Sequence, residues 1–165
     1  MKRDDMAPSG FDAVMVRDAT PDDEAGIVAL VRSERLNPND LDWWRFVVAV
    51  DARGLAGAVQ LRDNDDGSQE LASLVVRPEL RGLGIATRMI ERLLHGRSGR
   101  IYAITRHTMV PRFEGWGFAV IEARDAPPAV RQRRWLGQVL GGLISLLSRR
   151  RPLRLVVLKR MHHTR

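Results

Sequence analysis

Two glycines stand one residue apart behind a basic residue in the stretch RGLGIATRMIERLL, which runs from Arg81 to Leu94. Apolar residues at helical spacing follow them, and a buried strand is predicted before them. A loop that leaves a strand and enters a helix aims several unpaired backbone N–H groups, and the positive end of the helix dipole, at one point. Because Gly82 and Gly84 allow close approach and Arg81 can neutralise charge, the stretch predicts a phosphate-binding turn. The alternative is a tight turn without a ligand.

Three kinds of phosphate loop can be compared with these residues. A P-loop ends in Gly-Lys-Ser/Thr, whereas Gly84 is followed by Ile-Ala-Thr. A dinucleotide-binding fingerprint needs a third Gly or Ala where Thr87 stands, and an acidic residue about 20 positions on, which the predicted strand at 100–105 does not supply. The third pattern is Arg/Gln-x-x-Gly-x-Gly/Ala after a strand ending in Val-x-Pro, and LVVRPELRGLGIA satisfies it throughout.

That third pattern resembles the acetyl-coenzyme A signature of the GNAT superfamily of N-acetyltransferases. The resemblance extends from VRDATPDD through VVAVD, ELASLVV and EGWGF, and so covers the chain from Val16 to Ile121. The layout is also similar to that of small glutamate and amino-acid N-acetyltransferases, whose central strand begins with Glu-Leu. The resemblance implies that amides of the Arg81 turn bind the cofactor's pyrophosphate. It also implies that a bulged strand frees backbone groups of Leu74 and Val76 for the thioester and the pantetheine arm. The implied cofactor-binding residues are Leu74, Val75, Val76, Arg81, Gly82, Leu83, Gly84, Ile85, Ala86 and Thr87.

Glu70 is the catalytic residue that the resemblance implies. A protonated amine, with a pKa near ~10, cannot attack a thioester, so the enzyme must remove a proton, and a carboxylate that acts directly or through water suits that task. Glu70 opens the predicted central strand, where the family frequently has a glutamate base. The implied reaction is transfer of the acetyl group of acetyl-coenzyme A to a primary amine of a small molecule or amino acid, by direct attack in a ternary complex. A solvent-facing carboxylate beside the acidic DNDDG loop is the alternative.

Phe113 in PRFEGWGF departs from the family, which usually has a tyrosine there to protonate the leaving thiolate. Because a thiol has a pKa near ~8.5, the missing acid is expected to cost only about 10²-fold in rate. Solvent, His107 or Thr108 are the alternative proton donors, and Arg106 replaces a common asparagine. The same departure leaves a second hypothesis open, a catalytically weak acyl-coenzyme A sensor or scaffold that docks through its basic C-terminal helix.

The acceptor amine is expected near Glu34 to Trp44 and near Asp125 to Arg131, by the logic of the family fold. The charges in these segments give opposite indications. Asp40 and Asp42 would attract a cationic amine, whereas nearby arginines would favour an acceptor with a carboxylate. Those arginines are Arg131, Arg133 and Arg134.

The elements that must position these residues alternate along the chain. Helices are predicted at about 20–35, 84–94 and 129–147, with a short helix or loop at 110–115. Strands are predicted at about 13–16, 43–50, 54–61, 70–76, 100–105, 118–122 and 153–159. This order indicates an α/β (α+β) fold. The resemblance implies a mixed, mostly antiparallel sheet with a central β-α-β coenzyme A motif and flanking helices.

Composition is typical of one globular domain, with 44% hydrophobic and 28% charged residues among 165. We predict a disordered tail at residues 1–10 and a single domain at 11–165. The absence of cysteine excludes disulfides and thiolate ligands and favours a cytoplasmic address, and the start MKRDDMAPSG has no apolar core of a signal peptide. The four histidines show no metal-ligand spacing, so no metal is predicted.

Positive charge is concentrated at the C-terminal end of the chain. No Asp or Glu occurs after Asp125, whereas ten of the 27 Lys and Arg do. Within the predicted helix at 129–147, apolar residues recur at helical spacing, and this face is expected to pack on the sheet. These residues are Leu136, Val139, Leu140, Leu143, Ile144 and Leu147. Contact with a second copy in a homodimer and peripheral membrane contact are the less favoured alternatives. Nucleic acid is not expected, because only Trp135 stands among these arginines.

Overall fold

The computed structural model describes residues 14–34, 36, 39–148 and 154–161, except for the side chains of 141–148. The disordered tail predicted at 1–10 lies outside the described residues. The helices are α1 Glu24–Ser33, α2 Ile85–Leu94, α3 Val110–Gly115 and α4 Pro128–Ser148. The strands are β1 Met15–Asp18, β2 Phe46–Asp51, β3 Gly54–Asp63, β4 Gln69–Val76, β5 Ile101–Arg106, β6 Phe118–Ile121 and β7 Leu155–Arg160.

These seven strands form one sheet in the order β1-β2-β3-β4-β5-β7-β6. The pairs β1/β2, β2/β3, β5/β7 and β6/β7 are antiparallel, and β4/β5 is parallel. A parallel pair needs a crossover connection, which α2 supplies between β4 and β5. The predicted mixed, mostly antiparallel sheet with a central β-α-β unit is therefore confirmed. One difference is that Trp43–Arg45 forms a single 3-10 turn ahead of β2.

The described chain groups into two compact units. The first contains the described residues up to 60 together with 73–95, and the second contains 61–72 together with the described residues from 96 onwards. Strands β3 and β4 each contribute residues to both units. The single domain predicted at 11–165 stays a prediction.

The core of the first unit lies between α1 and the strands. Ile27 and Val31, one helical turn apart on α1, are fully buried against a set of strand residues that includes Phe46, Val48, Ala58 and Val75. Helix α2 buries Ile85, Met89, Ile90, Leu93 and Leu94, at the spacing of one apolar helix face. This packing holds the N-terminus of α2 at the end of the turn that joins it to β4.

The start of α1 is fixed by one buried carboxylate. Asp23 Oδ2 accepts hydrogen bonds from the Thr20 amide at 2.8 Å and from Arg17 Nη1 at 2.6 Å. The Arg17 guanidinium, followed by the Thr20 donors, holds the pKa of Asp23 below its usual range although burial opposes this. The residue before α1 is thus joined to β1 by the hydrogen bond between Asp23 and Arg17.

Helix α4 packs in the second unit with a different face from the one predicted. Val130 is fully buried with Tyr102, Ala126 and Val157. One turn further on, Arg134 Nε donates to the Leu155 carbonyl at 3.1 Å, and the Leu155 amide donates to Gln138 Oε1 at 3.1 Å.

Several large apolar residues of α4 are exposed, namely Trp135, Leu136, Val139 and Leu140. The expectation that Leu136, Val139 and Leu140 pack on the sheet is therefore wrong. The physical reason is that backbone groups at the start of β7 need hydrogen-bond partners, and the polar face of α4 supplies them. The side chains of Leu143, Ile144 and Leu147 lie outside the described residues. No helix in the part of the chain that the structure describes is long and apolar enough to cross a membrane.

Candidate active site

The turn between β4 and α2 has the backbone of an anion-binding loop. A 3-10 turn at Pro78–Leu80 is followed by Gly82 with φ +84° and Gly84 with φ +75°. Both angles lie in the left-handed region that favours glycine. Space around both glycines is open, because a Cβ added at either would meet no atom within 4 Å. The four residues from Arg81 to Gly84 are exposed, whereas Ile85 is buried.

The amides of this turn are available for a ligand. The Arg88 amide donates to the Gly84 carbonyl at 3.1 Å, which is the bond expected one turn into the helix. Within the described residues, no acceptor is recorded for the amides of Gly82, Leu83, Gly84, Ile85 or Ala86. Five adjacent N–H groups at the positive end of a helix form a site that suits a phosphate.

The Arg81 guanidinium forms contacts within the protein that the sequence did not predict. Its Nε donates to the Val76 carbonyl at 2.9 Å, and its Nη2 pairs with Glu34 Oε2 at 2.7 Å. The Val76 carbonyl is consequently not free, in contrast to the expectation. Since Glu34 already balances much of the Arg81 charge, the backbone amides and the helix dipole are the main attraction for an anion at this turn.

Strand β4 is distorted at Ser73. Its φ of +54° lies in the left-handed region, within a strand whose other residues are extended. Such a conformation costs about 1–3 kcal/mol in a residue with a side chain, and it marks a bulge. The buried Gln60 Nε2 donates to Ser73 Oγ at 2.9 Å, while Gln60 Oε1 has no partner among the described residues. Leu74, Val75 and Val76 follow this bulge.

The parallel ladder of β4 with β5 is short. It joins Gln69–Leu71 to Ile101–Ala103, while β4 continues to Val76 and β5 to Arg106. Backbone groups beyond a ladder need other partners. The end of β4 therefore has the strand distortion that the resemblance implied, whereas the residues that would contact a cofactor stay predictions.

Glu70 is buried and paired with an arginine from α4. Its side chain is 6% exposed, and Oε2 accepts a hydrogen bond from Arg133 Nη1 at 2.7 Å. The same Nη1 donates to Asn64 Oδ1 at 2.7 Å. The alternative of a solvent-facing carboxylate at Glu70 is therefore wrong, because β4 turns this side chain toward α4.

The hairpin loop holds Asn64 in place. Asn64 Nδ2 donates to Ser68 Oγ at 3.0 Å, and the Ser68 hydroxyl donates to Asp66 Oδ1 at 2.6 Å. The Ser68 hydroxyl and amide hold the pKa of Asp66 below its usual range. A chain of hydrogen bonds thus runs from the loop through Asn64 and Arg133 to Glu70.

The pairing of Arg133 with Glu70 was not predicted from the sequence, in which Arg133 was expected only near the acceptor and neither Gln60 nor Asn64 was a candidate. A signal was present, because Gln60 and Arg62, on either side of Leu61 in β3, and Asn64, just after β3, are all polar and buried. Buried polar side chains require partners, and Gln60 finds Ser73 while Asn64 finds Ser68 and Arg133.

Phe113 is a core residue of the second unit. It is 4% exposed, with edge-on contacts to Trp116 at 5.2 Å and to Phe118 at 5.7 Å between ring centroids. Tyr102 is buried in β5 as the ladder partner of Glu70. Arg106, His107 and Thr108 are exposed at the end of β5 and in the turn after it. The roles of His107 and Thr108 as alternative proton donors stay predictions.

The candidate acceptor residues around Asp42 lie in the first unit. Asp42 is paired with Arg45 at 3.0 Å, Asp40 is exposed, and Trp44 is 62% exposed while Trp43 packs on the core of the first unit. In the described residues, no group of three His, Asp or Glu side chains could hold a metal ion.

Comparison with known proteins identifies the class of domain. A family model described as an acetyltransferase (GNAT) domain matches residues 42–120, which include Glu70 and the Gly82–Gly84 turn. Residues 42–120, slightly less than half of the chain, thus match a GNAT acetyltransferase domain, which confirms the resemblance and the predicted enzyme class. A search of curated protein sequences finds no match.

Solved structures share the fold over most of the chain. N-acetylglutamate synthase from Neisseria gonorrhoeae, complexed with coenzyme A and N-acetyl-glutamate, is 20% identical with a TM-score of 0.67 over 92% of this chain. Rv2747 from Mycobacterium tuberculosis, in complex with CoA, is 20% identical with a TM-score of 0.66, covering 90% of this chain and 99% of that one. A GNAT-family acetyltransferase from Bacillus cereus is 16% identical with a TM-score of 0.61, covering 90% and 99%. The chain spans only 35% of the synthase, and at these identities the likeness shows the fold alone.

Proposed function

We propose that the protein is an N-acetyltransferase that moves the acetyl group of acetyl-coenzyme A to a primary amine of a small molecule or amino acid. The observation that carries this proposal is the exposed turn at the start of α2, whose amides from Gly82 to Ala86 have no acceptor among the described residues, inside the matched GNAT segment. A diphosphate is the ligand that such a turn suits best. Two of the similar structures contain coenzyme A, which supports the choice of diphosphate.

The cofactor would be held mainly by main-chain groups. The residues proposed to bind it are Leu74, Val75, Val76, Arg81, Gly82, Leu83, Gly84, Ile85, Ala86 and Thr87. The turn would bind the pyrophosphate, and β4 beyond the Ser73 bulge would hold the pantetheine arm and polarise the thioester carbonyl. The Arg77 amide is not available, since it donates to the Ala56 carbonyl at 2.9 Å.

Glu70 would act as the base. The amine nitrogen attacks the thioester carbonyl carbon, its proton passes to Glu70 directly or through a water molecule, and the C–S bond then breaks to release the thiolate. Arg133 occupies Oε2, so Oε1 is the oxygen that would accept the proton. Arg133 also fixes the carboxylate orientation, which makes it a positioning residue for this step.

Calorimetry with acetyl-coenzyme A, followed by thiol release across a panel of amines and amino acids, tests the proposal. Binding in the micromolar range and thiol release with at least one amine are expected. Failure to bind at millimolar cofactor would overturn it. The absence of cysteine supports a cytoplasmic location as part of the same proposal.

A second candidate function is a coenzyme A sensor or scaffold with weak catalysis. Phe113 favours it. The ring packs against Trp116 and Phe118 and has no hydroxyl group that could protonate the thiolate. Cofactor binding without thiol release from any amine would select this candidate. If the Phe113→Tyr variant releases thiol faster than the wild type does, the result would instead support the enzyme, since the rest of the catalytic site would then be functional.

A further inference from the structure

Helix α4 carries an exposed apolar stripe, formed by Trp135, Leu136, Val139 and Leu140. These residues are 62%, 45%, 41% and 55% exposed, and they lie on one face at the i, i+1, i+4, i+5 spacing of a helix. A cluster of large apolar side chains on one face marks a contact surface, in contrast to single exposed apolar residues. The opposite face of α4 is already occupied by its contacts with β7.

The sequence that contains this apolar stripe is strongly basic. Arg131 is exposed on the same helix face one turn before Trp135. After Asp125 the sequence contains ten Lys and Arg and no Asp or Glu, although the chain as a whole carries a net charge of only +7. An amphipathic helix with arginines beside Trp and Leu has the composition of helices that lie in the interface of an anionic membrane.

We propose that α4 docks this protein on anionic lipid bilayers, with the helix parallel to the membrane plane and the apolar stripe below the headgroups. A tryptophan beside arginines is suited to the headgroup level. The polar bonds of Arg134 and Gln138 to Leu155 lie on the inward face, so docking requires no unfolding of the helix from the sheet.

Charge disfavours the other occupants of this surface. A second copy would bring the same cation-rich C-terminal sequence, which has no Asp or Glu after Asp125, and this opposes a symmetric contact through α4. Nucleic acid would satisfy the arginines but not three aliphatic side chains, and Trp135 is the one aromatic after Phe118. An anionic membrane matches both the charge and the apolar stripe.

Vesicle sedimentation with the full chain tests this inference without cofactor or amine. We expect binding to vesicles of equal parts phosphatidylcholine and phosphatidylglycerol, little binding to phosphatidylcholine alone, and release in about 1 M NaCl, where the Debye length is about 3 Å. The double variant Leu136→Asn and Leu140→Asn changes no charge and should weaken binding at least about tenfold, since burial of each leucine is lost. Trp135 emission should shift to the blue on binding, and a Trp135→Phe variant should lose that shift.

Val120→Asn is the matched control, because Val120 is 49% exposed on β6 and lies outside the apolar stripe. It should bind vesicles as the wild type does. The inference is overturned if the wild type does not bind anionic vesicles at low salt, or if the double variant binds as well as Val120→Asn. A concentration-dependent dimer that the double variant abolishes would also overturn it, by assigning the apolar stripe to a second copy.

Discussion

Glu70 is a buried carboxylate that is held by a partner from another element. Arg133 Nη1 satisfies Oε2 and Asn64 Oδ1 together, so the carboxylate is held by a partner that the hairpin loop orients. An ion pair with one member nearly buried is retained only when its geometry is good, because desolvation opposes it. Arg133 bonds to Oε2, so the proposed proton transfer would use Oε1, and this is the basis of the prediction at this site.

Replacement of Glu70 by Gln tests its role as the base. The amide keeps the shape of the side chain and can still accept from Arg133, but it cannot remove a proton. We expect kcat to fall about 10²–10⁴-fold with little change in the Kd for acetyl-coenzyme A, measured by thiol release and calorimetry. Unchanged kcat at neutral pH would assign proton removal to another group or to solvent.

Among the elements, the start of α2 depends on Gly84. A Gly84→Ala substitution places a side chain at φ +75°, at a cost of about 1–2 kcal/mol, and adds a methyl group where a phosphate would approach. We expect the Kd for acetyl-coenzyme A to rise at least about tenfold, corresponding to ~1.4 kcal/mol.

Gly96→Ala is the control for Gly84→Ala. Gly96, just beyond the C-terminal end of α2, has φ +69° and equally open surroundings. Both variants should lose similar stability in urea unfolding, and only Gly84→Ala should lose cofactor affinity. Equal affinity losses would remove the turn from the binding site.

The start of α1 gives a prediction on pH. Because Arg17 favours the ionised form, the folded-state pKa of Asp23 lies below the unfolded value of about 3.9. The pair therefore stabilises the folded protein above the unfolded pKa, and this contribution is lost as the pH falls through the folded pKa.

Asp23→Asn should accordingly lower the free energy of unfolding by roughly 1–2 kcal/mol near neutral pH. The difference from wild type should shrink below about pH 4, as thermal unfolding at several pH values will measure. The exposed neighbour Asp22→Asn should show little effect at either pH. A difference that persists unchanged in acid would rule out the Arg17 pair as its source.

At the scale of the whole molecule, cofactor binding should increase the free energy of unfolding. A ligand at about 100 times its Kd adds ~2.7 kcal/mol to the free energy of unfolding, which raises Tm by roughly 5–10 °C in a chain of this size. Coenzyme A should produce this shift in thermal unfolding. Pantetheine, which lacks the diphosphate, should produce less than half of it. Equal shifts would indicate that the thiol arm alone binds.

Much of this protein was predictable from local sequence. The order of strands and helices followed from apolar periodicity, and the bounds of α2 and α3 from glycine, proline and helical spacing. The Gly82–Gly84 turn was recognisable because its function depends on backbone angles that glycine favours. Each of these features depends on residues that are close together in sequence, within a single helix, strand or turn.

Other features were decided only by tertiary structure. Arg133 and Glu70 are 63 residues apart in sequence, so their pairing depends on how α4 lies against the strands. The inward face of α4 also depends on tertiary contacts. Its side chains Arg134 and Gln138 form hydrogen bonds with the backbone of Leu155, which would otherwise lack these partners. Periodicity determines that a helix has two faces, whereas the hydrogen-bonding groups it meets determine which face turns inward.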